Sequence, residues 1–135
     1  MTENLAAAAG RRSREAVHAR DKQAWVDNFA DDGLIEDPAG PSPFDPEGKG
    51  HRGKEAIAAF WDNVIAHAEK LDFVFDTTYD CDTHEANVGR IISTMGDYQF
   101  TAEGVFTYHA NTEGKLVTLR AYWEFEKTFA TPTKL

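Results

Sequence analysis

The stretch Ile35–Gly53, IEDPAGPSPFDPEGKGHRG, divides the chain: an apolar run ends in acid, and regular structure then stops. Leu34 and Ile35 read as the inner end of a short strand. Pro38 ends the ladder by removing a backbone donor and pushes Asp37 toward an extended conformation. Asp37 is therefore expected at a strand end, beside or inside the core. Pro38, Pro41, Pro43 and Pro46, interleaved with Gly40, Gly48, Gly50 and Gly53, make residues 38–53 a long irregular loop. In a small domain such a loop is more often the rim of a site than a plain connector, so this one is expected to border a pocket.

Upstream, the Ala-, Arg- and Glu-rich run from about Glu3 to Asp21 predicts helix, with Leu5, Ala8 or Ala9, Ala16 and Val17 as a weak inner face. Gly10 argues against one continuous helix. Asp21 opens a second helix, DKQAWVDNFA, whose Trp25 and Phe29 lie four apart on one face. Asp31-Asp32-Gly33 reads as a turn into the strand Leu34–Glu36. Downstream, GKEAIAAFWDNVIAHAEK carries Ala56, Ile57, Phe60, Trp61, Val64, Ile65 and Ala68 at helical spacing, a wide stripe to lay against a sheet. From Leu71 onward four runs rich in β-branched and aromatic residues, LDFVFDTTYDC, ANVGRIISTM, DYQFTAEGVFTYHA and KLVTLRAYWEFEKTF, are joined by CDTHE, GD and NTEG as hairpin turns. The last run places Val117, Leu119, Ala121, Trp123 and Phe125 on one face. Helices first and strands later predict an α+β fold in which a curved antiparallel sheet wraps as a cone around three helices of the N-terminal half. The whole, 1–135, reads as a single domain with flexible ends at about 1–4 and 128–135.

Composition narrows the function classes. The formal charge is −9, from 14 basic and 23 acidic residues, and the largest basic grouping is Arg11-Arg12 with Arg14, so a nucleic-acid partner is not expected. No run approaches a membrane span or a secretion signal, and a lone cysteine, Cys81, excludes an intrachain disulfide; a cytoplasmic protein off the membrane is expected. Three Trp, four Tyr and nine Phe suit an apolar cavity as well as an ordinary core. His18, His51, His67, His84 and His109 are scattered without ligand spacing, and Pro46 between Asp45 and Glu47 opposes a tight calcium loop, so no metal is expected. No G-x-G-x-x-G follows a predicted strand, no P-loop is present, and no cofactor is implied. Ser13 lies in a helix away from any nucleophile elbow, and Cys81, between Asp80 and Asp82, reads as an inert thiol.

Three segments carry a resemblance. ADDGLIEDPAG, GKEAIAAFW and GKLVTLRAYW are similar to the steroid Δ-isomerase branch of the NTF2-like, or SnoaL-like, superfamily, over roughly Ser13 to Trp123. The resemblance implies the same cone-shaped α+β fold, pairing as a homodimer, and a pocket for a steroid-like hydrophobic small molecule. It makes Asp37, the Asp of EDP, a general base that moves a proton within a cyclic ketone; that chemistry is borrowed from ketosteroid isomerase itself. Physically, a carboxylate in an apolar cavity loses solvation, becomes more basic and can take an acidic proton next to a carbonyl. The other role open to Asp37 is to cap the loop beyond it.

By matched position, Trp61, Phe106, Leu119, Ala121 and Trp123 would line the pocket. The family stabilises its dienolate oxygen with a helix Tyr and a protonated strand Asp, and here those positions hold Ser13 and Gly104. Losing one such donor typically slows the reaction about a hundred- to a thousandfold. Glu103 points to the opposite face of its strand unless a bulge turns it. Other donors within the sequence are the indoles of Trp61 and Trp123, the hydroxyl of Tyr98, or water. Three functions are thus in view: a weak, cofactor-independent isomerase, a non-catalytic binder of hydrophobic ligands, and another SnoaL-like activity such as a cyclase, dehydratase or epoxide hydrolase.

Overall fold

The computed structural model describes residues 4–135, so Met1, Thr2 and Glu3 of the expected loose N-terminus lie outside it. Helix α1 (Leu5–Ala19) is continuous. Asn4 caps it, its side-chain oxygen accepting the amides of Ala6 and Ala7. Gly10 does not break the helix; it thins it, because a Cβ there would stand 2.7 Å from the ring of Tyr108. Helix α2 (Lys22–Asp27) starts at Asp21, whose carboxylate accepts the amide of Ala24. Strand β1 (Phe29–Glu36) begins earlier than the Asp31-Asp32-Gly33 pattern suggests; the turn residues form an irregularity inside the strand, between Phe29 and Leu34. A short β2 (His51–Arg52) closes the proline loop, and α3 (Lys54–Asn63) passes into a 3-10 turn at Ile65–His67.

Four long strands come next, β3 (Lys70–Cys81), β4 (His84–Met95), β5 (Tyr98–Ala110) and β6 (Leu116–Tyr122), with turns at the three expected joins. Gly96 and Gly114 adopt the left-handed conformations those turns require. The sheet runs β2-β1-β6-β5-β4-β3 and is curved and unclosed. It is mixed rather than wholly antiparallel, because β1 pairs parallel with β6, Ile35 beside Leu119 and Glu36 beside Arg120. The sequence cannot show this: consecutive strands suggest hairpins, whereas β1 pairs with a strand more than eighty residues on.

The C-terminus also differs. The alternation read through Phe125 stops at Tyr122, and Phe125–Ala130 forms α4. Thr133–Lys134 then adds β7 to β5, opposite Tyr98 and Gln99, so the segment read as a loose end is tied to the sheet. Phe125 and Phe129, four apart, are the helical signal that an alternating reading hides.

Curvature comes from Gly89 and Gly104, which face each other in the β4–β5 ladder. A Cβ on Gly89 would collide with the carbonyl of Val74, and one on Gly104 with the carbonyl of Tyr122. Without side chains at this row the neighbouring strands fold over the inner face. The core lies between that face and the helices: Trp25 packs on Phe29 at 5.1 Å and Trp61 at 5.5 Å, with Ile35, Ile57 and Leu116 fully buried around them. Among the described residues no helix is long and apolar enough to cross a membrane.

Candidate functional site

Alternation along β5 places Ala102, Phe106 and Tyr108 on the inner face, and the register carries that face to Leu119 and Ala121 on β6. The bend leaves a cavity of about 360 Å³ between these residues and the helices, within the range of small-molecule sites. Asp37, Ser13, Phe106, Leu119, Ala121 and Trp123 all line it, together with Val17, Trp25, Phe60, Phe73 and Ile91. From the proline loop Phe44 reaches its wall and meets Phe125 of α4 edge-on at 5.2 Å. Phe125 in turn packs on Phe129 at 4.6 Å, and Phe129 on Phe100 at 4.9 Å. The loop borders the pocket as its composition suggests, and α4 supplies aromatics that the strand reading of Phe125 and Phe129 did not anticipate.

Asp37 comes directly after β1, and the Asp37–Pro38 peptide is cis. Its Oδ1 accepts the indole N–H of Trp123 at 2.6 Å. This contact exists because β1 and β6 are parallel neighbours, so that the residues just beyond their ends converge. Oδ2 has no protein partner among the described hydrogen bonds. Asp37 lines the cavity, and the enclosing protein pushes its carboxyl above the ordinary value of 3.8, with the Trp123 hydrogen bond opposing part of that rise. The loop-capping role goes instead to Asp45, whose Oδ2 accepts the amide of Gly50 at 2.7 Å.

Two residues matched by position stand outside the lining. Trp61 is buried behind Trp25, on the helix stripe but one layer back. Gly104 shares the parity of Phe106, yet the backbone of Tyr122 and Trp123 occupies the space where its side chain would project. Glu103 is exposed on the opposite face, paired in register with Arg90, and Tyr98 is 42% exposed.

Ser13 is buried, and its Oγ accepts the indole N–H of Trp25 at 3.0 Å. Tyr108 is a lining residue that the sequence reading did not single out, although its parity with Phe106 was the available signal. Its hydroxyl accepts a hydrogen bond from Arg14 Nη1 at 3.3 Å. Burial raises the Tyr108 pKa, and the Arg14 charge offsets part of that rise. Further along the same face Glu85 is buried opposite Asp80 and accepts from Asn87 at 3.0 Å; burial raises its pKa, and Asp80 adds to the rise.

The profile of the SnoaL-like domain matches residues 11–119, and the chain belongs to that family. Among solved structures it is similar to the Δ5-3-ketosteroid isomerase from Mycobacterium sp., at 32% identity and a TM-score of 0.88, over 97% of this chain and 100% of that one. It is likewise similar to RV0760c from Mycobacterium tuberculosis, at 34% identity and a TM-score of 0.87, over 93% of this chain and 96% of that one. A complex of RV0760c with estradiol-17beta-hemisuccinate aligns at 33% identity and a TM-score of 0.84, over 92% and 97% of the two chains. No curated protein matches the sequence.

Proposed function

We propose that this protein takes up a steroid-like or other polycyclic ketone in the aromatic cavity, and that Asp37 moves a proton on it slowly and without a cofactor. The observation that carries the reading is the state of Asp37. One oxygen is fixed by Trp123, the other has no protein partner among the described residues, the residue lines the cavity, and burial raises the basicity of the carboxylate. Such a group can take a proton from the carbon next to a carbonyl and return it further along the conjugated system. The steroid bound by RV0760c and the isomerase neighbour support the ligand class. The low rate follows from the matched positions: the Ser13 hydroxyl is a far weaker acid than a phenol, and the inner side of Gly104 is filled by main chain. The test is conversion of a Δ5-3-ketosteroid, followed by the absorbance of the conjugated enone, in wild type and Asp37→Asn. Turnover that is slow in wild type and absent in the variant is expected; equal rates in the two would overturn the assignment.

A non-catalytic binder is the second reading, favoured specifically by the occupied space at Gly104. It predicts tight steroid binding with no enone formed by either protein. A second copy of this chain is the expected macromolecular partner. The outer sheet face offers Tyr79 and the cross-strand row Val88, Val105 and Tyr122, of which Tyr79, Val88 and Tyr122 are exposed. Sedimentation showing only monomer at micromolar concentration would remove that partner.

A further inference from the structure

We propose that the cavity presents two hydroxyl donors, Ser13 and Tyr108, to acceptor oxygens of its ligand, each turned toward donation by a group behind it. The proposal deepens the reading of the cavity as a ligand site and rests on it. A neutral hydroxyl has one hydrogen to give and lone pairs to receive, whereas an indole N–H and a guanidinium can only donate. Trp25 donates to Ser13 Oγ at 3.0 Å, and Arg14 donates to the Tyr108 hydroxyl at 3.3 Å. Both oxygens are therefore acceptors within the protein, and neither hydroxyl hydrogen has an acceptor among the described residues. Ser13 is 3% exposed and Tyr108 5%, and both line the cavity. A buried donor left unmade is unfavourable, and the open volume beside these two is the cavity itself. Their hydrogens are left for a ligand oxygen, or for the water it displaces.

The arrangement behind Tyr108 is fixed. The Arg14 guanidinium lies 5.3 Å from the centre of the Phe75 ring and 5.6 Å from that of Tyr108, which holds it in place by stacking. Gly10 lets the tyrosine ring lie flush against α1. Arg14, Glu85 and Asp37 are the charges that act on the phenol, and burial keeps its proton in place at neutral pH. Asp37 has the opposite polarity, since its free oxygen accepts. The cavity thus asks for an acceptor oxygen at the α1 side and a removable hydrogen at the end of β1, which selects a ketone over the bare hydrocarbon ring.

The test uses a saturated 3-ketosteroid labelled with carbon-13 at the carbonyl, which has no double bond to move, and the same steroid with a methylene at that carbon. Binding of both is measured for wild type, Tyr108→Phe and Ser13→Ala, with the infrared carbonyl stretch of the bound ketone recorded in each. A variant that loses a true donor should bind the ketone about two- to tenfold more weakly. It should shift the stretch to higher wavenumber and leave the affinity for the methylene steroid unchanged, which also shows that its cavity is intact. A shift in either variant supports that donor. If both steroids bind wild type and neither variant changes the affinity ratio or the stretch, the donor assignment is wrong while the ligand site stands. If neither steroid binds wild type, the ligand-site reading fails and takes this proposal with it.

Discussion

Replacing Asp37 by Asn should stabilise the fold at neutral and alkaline pH and leave its stability unchanged in acid. The carboxyl has a folded pKa above its ordinary value of 3.8, chiefly through burial. Below 3.8 the group is protonated in both folded and unfolded chains, and the neutral acid and the amide are near equivalents. As pH rises through the folded pKa, the unfolded chain is already ionised while the folded one ionises only at a cost, so wild-type stability falls and then levels off. Every tenfold change in the acid constant is about 1.4 kcal/mol. A chain of 135 residues, at roughly 2.1 cal/mol/K of unfolding entropy per residue, then gains about 5 °C in Tm for each such factor. Asn keeps an oxygen to accept the Trp123 N–H, so that hydrogen bond does not confound the comparison. Thermal unfolding of both proteins, followed by circular dichroism from about pH 4 to about pH 9, reads the difference directly. A gain that opens with rising pH and reaches a plateau is expected. A gain constant across pH, or a wild type more stable than the variant in mild alkali, would refute the claim that burial strains this carboxylate.

Three other outcomes are expected. Trp123→Phe removes the hydrogen bond that holds the Asp37 pKa down, so the acidic limb of any Asp37-dependent rate should move to higher pH; a limb that stays put or moves down contradicts the pairing. Gly104→Ala should cost about 1–3 kcal/mol or more, because the added Cβ meets the carbonyl of Tyr122 rather than a flexible side chain, whereas Glu103→Ala on the exposed face should stay within about 0.5 kcal/mol, both read by thermal melts. Polycyclic ligands at micromolar concentration should quench tryptophan emission through Trp25 and Trp123, which line the cavity, and Trp123→Phe should retain part of the quench through Trp25; unchanged emission in wild type would argue against a ligand there.

The periodicities of α3 and of β3 to β6 are plain in the sequence because each carries an apolar face, whereas the Trp25–Phe29 spacing read as helical is split in the structure: α2 stops at Asp27 and Phe29 opens β1. Asp37 at a strand end was legible for a local reason, the proline next to it. The parallel partnership of β1 with β6 was not, since nothing local marks which distant strand a strand will join, and the contact between Asp37 and Trp123 depends on it. Trp61 and Trp25 show a related limit: both sit on apolar helix faces, and only packing decides that Trp25 faces the cavity while Trp61 lies behind it. Gly104 reads as a missing donor in the sequence; in space it is the point where the main chain of Tyr122 and Trp123 crosses, and the Trp123 indole beyond it reaches Asp37.

The parallel pairing of β1 with β6 also bears on when the site comes into being. Asp37 is enclosed by residues that come late in the chain, Leu119 and Ala121 in the wall and Trp123 as its hydrogen-bond partner. During synthesis the carboxylate emerges long before them, and until β6 docks it is a solvated acid of ordinary strength. The loop that must close between Ile35 and Leu119 is among the longest-range contacts in the sheet, the kind that forms late and slowly. A carboxylate made more basic by burial therefore exists only in the finished fold, and a chain interrupted before its last strand carries an ordinary solvated aspartate in its place.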